Sequence, residues 1–175
     1  MDVIALVPLA AVEPEAVEAL LDRAFGPDRR TRTAYRIRSG TLPVPELSFA
    51  ALDADGALLG TIQCWPVELA CDDGEIVPLV MVGPVAVEPD HQQGGIGRAL
   101  MERMLEAISD CPAKGCDSLM LVGDPEYYGR FFGFTAERTA GWRLPGPFEP
   151  HRLLARGDKA PDCAGALGPR VGQAA

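Results

Sequence analysis

Between Ile76 and Val87 the chain runs through twelve residues, Ile-Val-Pro-Leu-Val-Met-Val-Gly-Pro-Val-Ala-Val, without one ionisable side chain. A strand with one wet face alternates apolar and polar residues, whereas a strand covered on both faces reads as a continuous apolar run. The stretch therefore belongs inside a sheet with layers packed on both sides, which excludes an all-helical bundle. Pro78, Gly83 and Pro84 interrupt it, and a proline cannot donate to a ladder. A bulge or splay at Gly83-Pro84 reconciles the two signals and leaves backbone groups of the following residues available to a ligand.

After the turn Glu88–Gln92 comes Gln93-Gly94-Gly95-Ile96-Gly97-Arg98, and then an amphipathic helix. Ile96, Leu100, Met104 and Ile108 form one i,i+4 row, with Arg98, Glu102, Arg103 and Glu106 on the opposite face. Glycines at a helix start remove side chains that would hold a ligand away. The first turn offers unpaired N–H groups and a partial positive charge, so this stretch predicts a phosphate cradle. A nucleoside triphosphate loop is excluded, because the chain contains no Gly-Lys pair. A dinucleotide fingerprint fails at its third glycine, where Leu100 stands.

The rest of the chain fits a mixed α/β domain. Val3–Leu9 reads as a strand, and a helix is predicted from Pro14 to near Gly26. Asp28–Arg38 holds five arginines and reads as a second helix with a solvated basic face. Leu47–Leu52 and Leu58–Leu69 form a hairpin around Asp53-Ala-Asp-Gly56. Ser118–Val122 is a strand, and Asp124-Pro125 opens a helix carrying Tyr127, Tyr128, Phe131 and Phe132. Gly141–Leu144 and His151–Leu154 are candidate last strands. From Gly157 the sequence is rich in Gly, Ala and Pro and reads as a loose tail, giving a domain over 1–156 and a tail over 157–175.

A net charge of −9 argues against a nucleic-acid partner. No apolar run approaches membrane-spanning length. The opening residues make a poor signal sequence. Five cysteines, with no C-x-x-C pair, predict reduced and mostly buried thiols, hence a cytoplasmic protein, and no metal site. His91 and His151 complete no nucleophile–base set.

Gln92-Gln-Gly-Gly-Ile-Gly97 after Val85-Ala-Val87 resembles the acyl-CoA-binding motif of the GNAT superfamily of acetyl-CoA-dependent N-acetyltransferases. The later stretch Leu121-Val-Gly-Asp-Pro-Glu-Tyr-Tyr-Gly-Arg-Phe-Phe-Gly-Phe134 is similar to that family's strand and helix with a tyrosine before Gly-Phe. The resemblance implies a mixed central sheet with a splayed strand pair, flanked by helices. It implies that Val85, Ala86 and Val87 pair with the pantetheine arm of acetyl-CoA. Gln92, Gln93, Gly94, Gly95, Ile96, Gly97 and Arg98 would wrap the pyrophosphate, and the Val87 N–H would serve as oxyanion donor. The implied reaction is direct transfer to a small-molecule or peptide amine, with a homodimer an open form of assembly. A non-catalytic acyl-CoA-binding domain is the alternative.

An amine of pKa about 10.4 is neutral in about one molecule in a thousand at pH 7, so the reaction needs a base, desolvation or a water relay. The departing thiolate needs a proton, and a tyrosine can hold one. Tyr128 is the candidate acid, with Tyr127 second. Tyr128 stands five residues before Gly133, one more than the family spacing: if the helix absorbs the residue in a bulge Tyr128 keeps its direction, and if not its ring turns by about 100° and loses the role. Glu88, Asp124 and Glu68 are the carboxylates available as a base.

Overall fold

The apolar run is a strand, β4 (Ile76–Val87), and a longer one precedes it, β3 (Leu58–Cys71). Cys71 N–H donates to Glu75 O at 2.8 Å and closes the turn between them. The structure is a computed structural model and describes residues 3–171. Among the described residues eight strands join in the order β1-β2-β3-β4-β5-β7, with β8 pairing both β3 and β6. The β1–β2, β2–β3, β3–β8 and β5–β7 ladders are antiparallel, and the β4–β5 and β6–β8 ladders are parallel. The mixed sheet flanked by helices is the fold class expected from the sequence. The chain folds as two compact units, and β3 and β4 run through both.

The first unit comprises the residues up to Arg30, Pro43–Cys64 and Gly83–Cys111. Its strands are β1 (Ala5–Pro8) and β2 (Phe49–Leu52), with β2 paired to β3 from Phe49↔Ile62 to Leu52↔Leu58. Helix α1 (Pro14–Phe25) starts on a proline, whose missing N–H costs nothing there, and stops at Gly26, φ 94°. Its Val17, Leu20 and Leu21 pack with Ala86 of β4. Burying each leucine stabilises the fold by about 1.5–3 kcal/mol. Helix α2 (Thr33–Ile37) belongs to the second unit, and α3 (Ile96–Ala107) to the first. α3 buries Ile96, Leu100, Met101 and Met104. A Cβ on Gly60 would lie 2.9 Å from Ile96 Cγ2 and 3.0 Å from Ala86 O, so only glycine lets α3 close on β3.

The second unit comprises Thr31–Leu42, Trp65–Val82 and the residues from Pro112. It holds β5 (Leu119–Val122), α4 (Pro125–Phe132), β6 (Trp142–Arg143), β7 (Leu153–Arg156) and β8 (Gly165–Pro169). The parallel β4–β5 ladder extends only over Val80↔Leu119 and Met81↔Met120. β5 then pairs β7 over Leu119↔Arg156 to Val122↔Leu153. Ile37, Trp65, Leu69, Leu79, Met120, Trp142 and Leu167 are among its core side chains.

Three sequence expectations are corrected. The loose tail contains β8, which pairs β3 from Val67↔Pro169 to Cys71↔Gly165. Buried Arg170 fixes its end, donating to Val67 O (3.1 Å), Leu79 O (3.1 Å) and Lys114 O (2.8 Å). The cysteines are mostly oxidised rather than reduced: Cys71 is bonded to Cys163, Cys111 and Cys116 are also disulfide-bonded, and Cys64 alone is a free thiol. The Arg-rich segment is not one helix with a solvated basic face but a short turn at Arg29–Thr31 followed by the five-residue α2. Acidic and aromatic neighbours draw two of its five guanidinium groups inward, while Arg30, Arg32 and Arg36 stay exposed. Arg29, 1% exposed, donates to Asp22 Oδ1 (2.9 Å) and Glu18 Oε2 (2.7 Å), and Arg38 lies 3.9 Å from the ring centroids of both Tyr35 and Trp65.

Candidate active site

In the first unit the site grows out of the end of β4. Glu88 N–H donates to Leu59 O at 2.8 Å. Backbone groups alternate direction along a strand, so Ala86 turns its N–H and C=O toward β3. Val85 and Val87 turn theirs the other way. The Val87 carbonyl accepts from Gln92 Nε2 at 3.4 Å, which ties the following turn to the strand.

Gln92, Gln93, Gly94 and Gly95 are exposed, and Ile96, 2% exposed, anchors the start of α3 in the core. Gly95 caps the helix at φ 77°, a left-handed conformation that favours glycine. The first helical bond is Ala99 N–H to Gly95 O at 3.0 Å, so the amides of Ile96, Gly97 and Arg98 lie ahead of the ladder. The first turn carries no acidic side chain. A Cβ on Gly97 would make ordinary 3.7 Å contacts with Val85 Cγ1 and Val87 Cγ2, and one on Gly94 would approach only His91 O, at 3.5 Å. Packing within the protein therefore does not require glycine at 94 or 97. Arg98 directs its guanidinium along the helix to Glu102 Oε1, 3.0 Å away, and meets the turn through its backbone.

In the second unit Asp124 caps α4, its Oδ1 accepting Glu126 N–H at 3.0 Å. The C-terminus of this helix is wider than a regular turn. Gly133, in the left-handed region, donates to both Gly129 O and Tyr128 O, and Phe134 N–H reaches Tyr128 O at 3.3 Å. That closure spans six residues where the usual glycine-capped end spans five. Tyr128 is thus held at the position where the helix widens.

The Tyr128 ring lies against the backbone of Gly123, where a Cβ would come within 2.5 Å of its Cε2. Tyr127 meets it edge-on at 5.0 Å between centroids, and Phe134 at 6.3 Å. Burial pushes the Tyr128 phenol up to about 12, with Tyr127 and Asp124 adding to the rise and Arg152 opposing it. The phenol keeps its proton throughout the neutral range. Gly123 was not singled out from the sequence, although a glycine between an apolar strand and an Asp-Pro helix start marks a close backbone approach.

Two of the three candidate bases, Glu88 and Asp124, are engaged elsewhere. Glu88 is held by Arg23 through three contacts: Nε to Oε1 at 2.9 Å, Nε to Oε2 at 3.2 Å, and Nη2 to Oε2 at 2.8 Å. Asp124 serves as the helix cap, and Glu68 lies half-buried on β3 opposite Gly168; burial lowers the pKa of Arg170, and the charge of Glu68 opposes that fall. His91 is exposed, and His151 lies 3.4 Å from Glu149. Among the described residues no group of three or more His, Cys, Asp or Glu side chains could hold a metal ion. None of the described helices is long and apolar enough to cross a membrane.

Residues 8–135 match the family model described as an acetyltransferase (GNAT) domain. The chain belongs to the GNAT acetyltransferase family. The matched stretch thus covers α1 to α4, including both motifs. The uncharacterized N-acetyltransferase YhbS of Escherichia coli K12 is 27% identical over 146 residues, covering 81% of this chain and 83% of that protein. A serotonin N-acetyltransferase of Oryza sativa is 36% identical over 77 residues, 43% of this chain and 37% of that one. Among solved GNAT structures, YhbS from Escherichia coli in complex with CoA superposes with a TM-score of 0.69 at 24% identity, covering 97% of this chain and 89% of its own. A GNAT acetyltransferase from Brucella melitensis in complex with acetyl-CoA gives 0.63 at 23% identity, covering 97% of both chains.

Proposed function

We propose that this GNAT acetyltransferase binds acetyl-CoA along Val85–Val87 and Gln92–Arg98 and transfers the acetyl group directly to a primary amine in a ternary complex. One observation carries the reading. Glycines that packing does not require stand at 94 and 97, around a left-handed Gly95, at a helix start that follows outward-facing backbone groups. A phosphate pressed against that turn gives those glycines a reason. The relatives' complexes with CoA and acetyl-CoA support the choice of ligand.

Val85 and Val87 supply the outward N–H and C=O groups that pair with an extended amide-bearing arm, as an added strand does. Ala86 contributes the spacing between them. The amides of Ile96, Gly97 and Arg98 meet the pyrophosphate, with Gln92 and Gln93 lining the turn. Acetyl-CoA supplies the activated thioester, and the Val87 N–H is the donor for its carbonyl oxygen as negative charge develops. Tyr128 holds the proton for the departing thiolate, a role that suits a phenol kept neutral by burial and seated on Gly123. With Glu88 paired to Arg23 and Asp124 capping α4, the amine loses its proton through desolvation or water rather than to either of these carboxylates. The acceptor is a small-molecule or peptide amine.

Steady-state transfer to a panel of amines, measured beside acetyl-CoA affinity, tests the assignment of the acid. Tyr128→Phe is expected to lose about 100-fold in kcat, the lower end for a missing general acid, while acetyl-CoA binds as before. Equal turnover by Tyr128→Phe and wild type would move the role to Tyr127 or to solvent.

A further inference from the structure

Buried polar side chains on β3 and just before β2 in the first unit behave in two ways. Ser48 is fully engaged: its hydroxyl donates to Val44 O at 2.8 Å and accepts Cys64 N–H at 3.1 Å. Thr61 and Gln63 are just as inaccessible, 0% and 8% exposed, yet Thr61 Oγ1 and Gln63 Oε1 have no hydrogen-bond partner in the structure. Buried polar atoms are nearly always paired, and an unpaired one opposes folding. Two such oxygens, two residues apart on one strand, lie on one face of it.

Their position follows from the β3–β4 register. Glu88 N–H bonds Leu59 O, and the Cβ that Gly60 lacks would stand 3.0 Å from Ala86 O. Counting along antiparallel strands places Thr61 opposite Ala86, and Gln63 opposite Pro84, one residue before Val85. The Ala86 side chain packs on α1, whereas those of Val85 and Val87 face α3 across Gly97. Thr61 and Gln63 therefore project on the α1 side, from the strand adjacent to the one assigned to the cofactor.

We infer that Gln63 Oε1 and Thr61 Oγ1 receive the N–H groups of the acceptor amine, an inference that rests on the acetyl-CoA site proposed above. A carboxamide oxygen only accepts hydrogen bonds, and a threonine hydroxyl can accept them, so the pair suits a ligand that donates. Both groups are uncharged. A carboxylate in their place would hold the amine as ammonium, whereas neutral oxygens favour the charged form far less, so burial can tip the balance toward the neutral amine. Desolvation then lowers the amine's pKa toward the neutral nucleophile, the role left open by the engaged carboxylates. The acceptor class is an unhindered primary amine selected at its nitrogen.

The test uses the full chain, acetyl-CoA and ethylamine, the smallest probe carrying a primary alkylamine. Acetyl-CoA affinity is read by calorimetry, and the pH dependence of kcat/KM for ethylamine is measured at saturating acetyl-CoA. Gln63→Leu should lower kcat/KM roughly tenfold and Thr61→Val roughly threefold, as expected for one lost hydrogen bond each, with acetyl-CoA affinity unchanged. Gln63→Glu should move the rising limb of the rate to higher pH by holding ammonium. Several outcomes overturn the inference: Gln63→Leu within twofold of wild type, Gln63→Glu faster than wild type at pH 7, or a wild type that binds acetyl-CoA but never acetylates ethylamine. A folded wild type that does not bind acetyl-CoA removes the cofactor site itself, and this inference with it.

Discussion

Residues 83–107 are shaped mostly by near neighbours in the chain: Gly95 caps α3, Gln92 reaches back to Val87, and Ala99 bonds Gly95. Strand β8 is held by distant ones. Gly165 pairs Cys71, Arg170 spans to Val67 and Leu79, and Cys163 joins Cys71 across 92 residues. Even the glycines differ in kind. Gly95 is required by its own backbone angle, whereas Gly165 is required by its surroundings, since a Cβ there would come within 2.5 Å of Ala70 O. A locally built segment can be altered at one residue without loosening the fold, while a segment built by remote contacts ties its order to the stability of the whole.

The largest expected effect sharpens that contrast on the functional side. Gly97→Glu adds a carboxylate to a turn where a methylene meets only ordinary contacts. It should weaken acetyl-CoA binding at least about 100-fold by charge and bulk at the phosphate site, with little change in Tm. The opposite pattern is expected from Cys71→Ser with Cys163→Ser. Stability should fall by about 2–4 kcal/mol, as for a cross-link closing a long loop. That corresponds to a Tm lower by about 5–15 °C for a chain of this size. Acetyl-CoA affinity should hold once the variant is folded, and a parallel loss of affinity would break the comparison.

A smaller effect is expected from Glu88→Gln. The Arg23–Glu88 pair is partly exposed, so its loss should cost about 0.2–1 kcal/mol, and the rate should change by less than about threefold. A large drop in kcat would make Glu88 the base after all. The smallest is a pH effect. Tyr128 has its pKa raised to about 12, so the proton it is proposed to donate stays in place at neutral pH. The kcat profile should show no alkaline fall between pH 7 and 10. The matching stability contribution is present below the unfolded value near 10 and is lost as pH rises toward 12. A fall in kcat near pH 8 would assign the acid to another group.

Legibility in the sequence followed the same division. The double-sided burial of β4, the start of α1 on Pro14, the α3 row from Ile96 to Met104 and the Asp124 cap were readable because each depends on periodicity or on residues within one turn. The order of β8 was not, because Gly165-Ala-Leu-Gly-Pro169 has poor strand propensity and is recruited by β3 and Arg170. The disulfides were misread because pairing depends on which cysteines the fold brings together, and Cys71 and Cys163 meet only when β8 does. The burial of Arg29 and Arg38 is not legible in the sequence, which does not display the acidic side of α1 or the ring of Trp65. At the site, the binding turn was visible as a motif. The seat of Tyr128 on Gly123 and the unpaired oxygens of Thr61 and Gln63 emerged only from packing.

Calorimetric titration of the purified protein with acetyl-CoA, beside Gly95→Glu and Gly97→Glu, tests the cofactor site most directly. Micromolar binding by wild type, abolished in both variants while they remain folded, is the expected result. A well-folded wild type that takes up no acetyl-CoA, or variants that bind it equally well, would contradict the assignment of residues 85–98.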